Sequence, residues 1–277
     1  MNKVERPNEK VKDVFDKCIS KVSNRDLKQQ LEGCVTEIVQ DEKIYQEKAI
    51  KHKLIEFPKK NLINGKVPIG EMKKVYTYRM VNLNQPGRIF YNKLLNSIQI
   101  CPFCSVRDVA TLDHYLPKSQ YASTVVTPVN LIPACRDCNS NKDVFDAEIE
   151  EEELWHPYYD DYGPVRWLYV LIIETFPPVA EYSIKIPFDE MEEVMGKRIQ
   201  KSFDVFELGK LYSTHAAKEL NDIEFYIKSL KREAGVNNVR KHLQMMYESF
   251  YEADSNSWRT ALYEALANCD WYIEDYL

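Results

Sequence analysis

Residues 112–142 read LDHYLPKSQYASTVVTPVNLIPACRDCNSNK. The stretch sets His114, one of only five histidines in 277 residues, beside Asp113, and it closes on Cys135-Arg-Asp-Cys138 followed directly by Asn139. Upstream lies a second knuckle, Cys101-Pro-Phe-Cys104. A Cys-x-x-Cys turn is tight enough to aim two thiolates at one ion, and two such turns complete a tetrahedron. The spacing therefore points to a structural Zn²⁺ held by Cys101, Cys104, Cys135 and Cys138. Disulfides or a redox dithiol are the competing readings, disfavoured by two matched pairs in a chain that reads as cytosolic. A closed four-sulfur site offers no open position to a substrate, so zinc alone gives no reason for the residues between the knuckles. Cys18, Cys34 and Cys269 fall on apolar helical faces or near the terminus, where buried thiols are expected.

Working outward, the composition is that of an ordinary folded chain, 44% hydrophobic and 29% charged. The most apolar run, Trp167 to Ile173, is far shorter than the ~20 residues a membrane-spanning helix needs. The first residues, MNKVERPNEKVKDVF, lack the apolar core of a signal peptide, so a cytoplasmic protein is expected. The net charge of −6 excludes a protein that holds nucleic acid by being basic throughout. Charge is unevenly spread: +7 over 59–93, where eight basic residues meet one acidic, and −13 over 148–277, where 13 meet 26. The positive segment is either a solvated face or an arm for phosphates, with Arg79 and Arg88, and beside them Lys73, Lys74 and Tyr91, as candidates for gripping a backbone.

Apolar residues recur at helical spacing from Val11 to Ala49, which predicts two helices broken near VSNRD, with Ser23 or Asn24 as cap. FPKKNLINGKVPIGEM reads as a loop, followed by helices around Lys74–Asn82 and Ile89–Ser97. After the acidic EIEEEEL come WLYVLII and the alternating Tyr182, Ile184, Ile186 and Phe188, which predict a β-hairpin. The end is helical again, with a last helix from Ser257.

The interleaved residues carry a resemblance. LDHYLP, VNLIPAC and CNSNK, between and within the two knuckles, resemble the HNH or ββα-metal nuclease family over about residues 101–142. In that family the third letter is His or Asn, so Asn139 is an accepted variant. The resemblance implies an α+β, predominantly helical chain in which a zinc-stapled ββα-metal module at 99–165 sits between a helical region at 1–98 and an acidic hairpin-plus-helix region at 166–277. It further implies His114 as general base, Asp113 and Asn139 as oxygen ligands of a catalytic Mg²⁺ or Mn²⁺, and Asn130 as the side chain that pins the loop behind His114. These residue types suit phosphodiester hydrolysis: an imidazole titrates near neutrality, and a hard cation takes few protein oxygens and keeps its waters.

Taken singly, a His beside an Asp is more often a surface ion pair, and an Asn after Cys-x-x-Cys is often a turn residue. Lys118 and Lys142 are candidate phosphate contacts, although exposed lysines are usually just solvated. His156 and Asp160 in HPYYDD would either complete the cleft or serve structure, and His215 reads as packed on a helix face. Three functions remain in view: a DNA endonuclease, a catalytically silent zinc adaptor for a protein partner, and an RNA-directed nuclease, since nothing in the motif tests for a 2′-hydroxyl. The acidic C-terminal half suggests control by a protein partner. The layout resembles effector subunits of Septu-like prokaryotic antiphage systems, which implies an ATPase of the ABC or SMC-like class as companion.

Overall fold

The helical periodicity at the N-terminus resolves into three helices rather than two: α1 Val11–Ile19, α2 Arg25–Glu32 and α3 Val35–Ile50. The first break lies where the sequence predicts it, with Asn24 Oδ1 accepting from Leu27 N–H at 2.9 Å. The second falls at Gly33, where an added Cβ would come within 2.9 Å of Asn64 Nδ2. Glycine thus lets the following segment press against the corner, a long-range constraint invisible to periodicity. That segment is not a plain loop. It holds a short hairpin, β1 Leu62–Ile63 and β2 Val67–Pro68, turned by Asn64 and Gly65, both at positive φ, as an Asn-Gly turn between strands requires. α4 starts directly from Pro68 and spans Ile69–Thr77, earlier than the pattern suggests, and α5 spans Arg88–Leu95.

The computed structural model describes residues 1–187 and 189–277, which divide into two compact units, Met1–Asp161 and Tyr162–Leu277. Next in the first unit come β3 Thr111–His114 and β4 Leu131–Ala134, paired antiparallel with His114 opposite Leu131 and Asp113 opposite Ile132. α6 Arg136–Lys142 follows at once. Leu112 and Leu131 join the same apolar core as Val14, Phe15, Ile38 and Val75, so the N-terminal helices brace the two strands. Each such side chain contributes roughly 1.5–3 kcal/mol when fully buried. Cys18 and Cys34 belong to this core, and burial pushes their thiols up to about 12 and about 11.

The second unit opens with a hairpin of β5 Leu168–Ile173 and β6 Val179–Ile184. Ile186 lies beyond the paired stretch, and Phe188 lies outside the described residues. Four helices follow: α7 Glu193–Val205, α8 Leu208–Ala234, α9 Val236–Ala253 and α10 Trp258–Ala267, the last capped by Ser257 Oγ on Thr260 N–H at 3.0 Å. His215, on α8, rests 5.8 Å from the Trp258 ring as a packed side chain. The architecture is α+β and mostly helical, with small antiparallel hairpins. No helix among the described residues is long and apolar enough to cross a membrane.

The unit boundary redistributes the charge. The first unit holds 24 basic and 24 acidic residues and the second 13 and 19, because the acidic run at 148–153 belongs with the first. Much of the basic segment is also neutralised locally. Lys60 pairs with Asp41 at 2.7 Å and Glu37 at 2.8 Å, Lys59 with Asp146 at 2.5 Å, Lys74 with Glu71 at 2.6 Å, and Lys93 with Glu9.

Candidate active site and metal centre

The two knuckles meet. In the first, Ser105 N–H donates to Cys101 O at 2.8 Å and Cys101 N–H to Arg107 O at 2.9 Å, with Ser105 at positive φ closing the turn. In the second, Cys135 caps α6 and its Sγ accepts from Cys138 N–H at 3.3 Å. All four thiols are buried and their sulfurs lie within 4.8 Å of one another. A tetrahedron with metal–sulfur bonds of ~2.3 Å has sulfur–sulfur edges of about 3.8 Å, so a small contraction closes it around one ion. Four convergent sulfurs fit zinc, a borderline-soft ion. The crowding already separates their proton affinities: hydrogen bonds from Cys101 push Cys104 down and Cys135 down to about 7, while Cys101 and Cys138 are pushed up.

This staple fastens the segment leading into β3 to the start of α6, and so sets α6 beside the strand. Asn139 Nδ2 donates to Thr111 Oγ1 at 3.3 Å, which turns its Oδ1 away from that bond. Lys142, at the end of α6, is 2% exposed and donates from Nζ to His114 O at 2.6 Å. The same ammonium stands 3.3 Å from Asp113 Oδ2, so this buried oxygen has a charge partner. Burial pushes the Asp113 carboxyl up and Lys142 opposes it. Asp113, His114, Lys118, Asn139, Asp143 and Lys73 line one cleft of about 260 Å³.

The His114 ring is 5% exposed, packs edge-on against Tyr76 at 4.4 Å between centroids, and makes one hydrogen bond, from Nε2 to Val125 O at 2.9 Å. A carbonyl only accepts, so Nε2 carries the proton and Nδ1 the lone pair. Burial, with the positive Lys118 nearby, lowers the ring to about 3, which keeps it neutral at physiological pH. Asn130 has no exposed surface. Its Oδ1 accepts from Leu116 N–H at 2.8 Å, and its Nδ2 lies within donating distance of Leu116 O at 3.1 Å and of Thr124 O and Oγ1, both at 3.2 Å. It thereby ties the chain after His114 to the residue before Val125, whose carbonyl holds the ring.

The structure brings Asp113, His114, Asn139 and Lys118 together and puts Asn130 behind them. It does not bring the arginines there. Arg88 spends its guanidinium on Val81 O, on Asn92 Oδ1 at 2.8 Å and on the face of Tyr91, and Arg79 buries Nη1 without a partner. Lys142, a candidate phosphate contact by sequence, is instead an internal strut between α6 and β3. His156 and Asp160 are buried outside the cleft: His156 stacks 4.1 Å from Tyr115 and bonds Tyr45 Oη at 2.9 Å, while Asp160 takes His52 Nδ1 at 2.8 Å. Two residues of the site escape the motif. Tyr76, packed against the His114 ring, comes from a helix distant in sequence and carries no local signal, whereas Asp143 on the cleft, directly after Lys142, could have been found from its place at the end of the short helix.

No protein-family model and no solved structure matches this chain. Among curated proteins it is similar to Protein ea31 of Escherichia phage lambda, 26% identical over 230 residues, a span of 76% of this chain and 75% of that protein.

Proposed function

We propose that this chain is a metal-dependent endonuclease of the HNH kind, with β3, β4 and α6 as its ββα-metal module, hydrolysing phosphodiester bonds of DNA. The observation that carries the reading is His114: a buried, neutral imidazole whose Nε2 proton is committed to Val125 O, leaving the lone pair on Nδ1 of a residue that lines a cleft shared with Asp113 and Asn139. A purely structural zinc adaptor has no use for that arrangement. In the proposed reaction Nδ1 takes a proton from a water, whose oxygen attacks phosphorus as the bond to the departing oxygen breaks. Asp113 Oδ2, buried beside the Lys142 ammonium, and Asn139 Oδ1 are the oxygens that would hold Mg²⁺ or Mn²⁺. When bound, such an ion supplies charge neutralisation at the scissile phosphate and the departing oxygen. Asn130 and the four-cysteine zinc site act at one remove, by holding the ring and α6 in register.

The test is incubation of wild type and His114→Ala with supercoiled DNA, single-stranded DNA and RNA, in Mg²⁺, Mn²⁺ or EDTA. The reading requires metal-dependent nicking by wild type and its loss in His114→Ala with zinc content unchanged. Equal nicking by both proteins refutes the assignment, cutting of RNA alone moves the substrate, and no cutting of any substrate leaves the adaptor. The antiphage role and an ABC or SMC-like ATPase partner are proposed from layout alone; exposed Phe176 and Phe225 on the acidic second unit are where docking would be tested. An ATPase co-expressed with the chain should co-elute with wild type and not with Phe176→Asp/Phe225→Asp, and equal co-elution would refute that surface.

A further inference from the structure

Several lysines of the first unit face carboxylates, whereas two that line the cleft are in no salt bridge among the described residues. Within 59–93, Lys59, Lys60, Lys74 and Lys93 each face a carboxylate. Lys142 is committed to Asp113 and His114 O. Lys73 and Lys118 form no salt bridge among the described residues, and both line the cleft that holds Asp113, His114 and Asn139. They reach it from separate parts of the chain. Lys73 comes from α4, one turn before Tyr76, and Lys118 from the chain just past β3. Tyr76 links them: its ring packs edge-on to the His114 ring at 4.4 Å, carries the Lys118 Nζ 5.8 Å from its centroid, and its hydroxyl donates to Leu112 O at 3.2 Å. Lys118 is half-buried, so part of its hydration is already stripped. Lys73 and Lys118 lie close enough to repel, and although Asp113 and Asp143 attract Lys118 across the cleft, neither is salt-bridged to it, so an anion that spans the two ammonium groups relieves that repulsion.

We infer that Lys73 and Lys118, set against Tyr76, form a clamp for the phosphodiester backbone of a nucleic-acid strand, gripping phosphate next to the one His114 and Asp113 address. This deepens the proposed nuclease reading and rests on it for the identity of the scissile phosphate. The clamp itself concerns binding and needs no chemistry. It also replaces Arg79 and Arg88 as the cations from the basic segment that reach substrate, since those two are turned to structural partners or buried. Asp143, exposed on the same cleft, is the one carboxylate besides Asp113 among its lining residues. It opposes anion binding unless a cation is present, so the grip should be firmer with Mg²⁺ than in EDTA.

The experiment measures binding of a fluorescent 30-base-pair duplex by the full zinc-loaded chain in the His114→Ala background, without added Mg²⁺ or Mn²⁺, over a range of KCl. Adding Lys73→Met/Lys118→Met should make the slope of log affinity against log salt shallower by about 1.8, and lower affinity roughly 60-fold near 0.1 M salt, as loss of two phosphate contacts predicts. A control with the same change of charge away from the cleft, Lys12→Met/Lys48→Met, should leave the slope as it was, and Lys73→Arg/Lys118→Arg should restore binding. An unchanged slope for the Met pair, an equal loss in the control, or no measurable binding by the His114→Ala protein would overturn the clamp. Methionine keeps the aliphatic stems, and retained zinc and helical dichroism establish that the variants fold. If His114→Ala cuts as well as wild type the catalytic reading fails while the slopes still judge the clamp; if the slopes are unchanged the clamp fails while loss of cutting in His114→Ala still stands.

Discussion

Burying His114 in its neutral form ties the stability of the first unit to pH. The folded ring titrates at about 3 against 6.5 when exposed, with desolvation as the first cause. As pH falls through 6.5 the unfolded chain takes up the proton first, while the folded ring stays neutral until about 3. The stabilising contribution is therefore complete above 6.5 and is lost as pH falls from there toward 3. At about 1.36 kcal/mol per pKa unit, moving from pH 7 to pH 5 removes on the order of 2 kcal/mol. Gln at this position does not titrate, so wild type should lose that amount relative to His114→Gln over the same interval, and every other titrating group cancels in the difference. Urea unfolding of the first unit can be followed by Trp155, after Trp167, Trp258 and Trp271 are replaced by Phe in both proteins. A difference that stays constant between pH 7 and pH 5 to within about 0.5 kcal/mol would refute the buried neutral imidazole, and with it the reason for Nδ1 to be a free base.

Three further outcomes follow from the same geometry. Nicking activity should persist at pH 5.5, where an ordinary histidine base would be about 90% protonated; an acid limb centred near 6.5 in kcat/KM would contradict the low folded value. Cys135→Ser should release zinc and unfold the start of α6, measured as metal content and loss of protease resistance, because ligand binding and local folding are one equilibrium. Asn130→Ala removes the partners of the Leu116 amide and of Thr124, and should cost about 2–4 kcal/mol in unfolding and lower kcat more than it raises KM. Intact kcat in that variant would show that the ring is held without it.

The zinc knuckles were legible because each is local: Cys-x-x-Cys sets two sulfurs within one turn, and only the meeting of the two turns needs the fold. Asn24 and Ser257 as caps, and the β5–β6 hairpin, were readable for the same reason, since a cap or an alternating strand acts over a few residues. The Asn64-Gly65 turn was equally local but obscured by its strands being two residues each. At Gly33 the glycine at the helix end is a local signal, whereas the Asn64 side chain packed against it, 31 positions away, is not.

For the candidate site, the sequence by itself determined which atoms are present and in what order: an imidazole, a carboxylate, two amides and four thiols. Only the tertiary structure decided their states. The bond to Val125 O fixes the His114 tautomer, the end of α6 turns Lys142 from a surface cation into a buried strut, and α4 delivers Lys73 to the cleft and Tyr76 to the His114 ring, neither of which it adjoins in sequence. The physical reason is that residue identity sets which protons, charges and lone pairs exist, whereas desolvation and long-range partners set which of them are free to act.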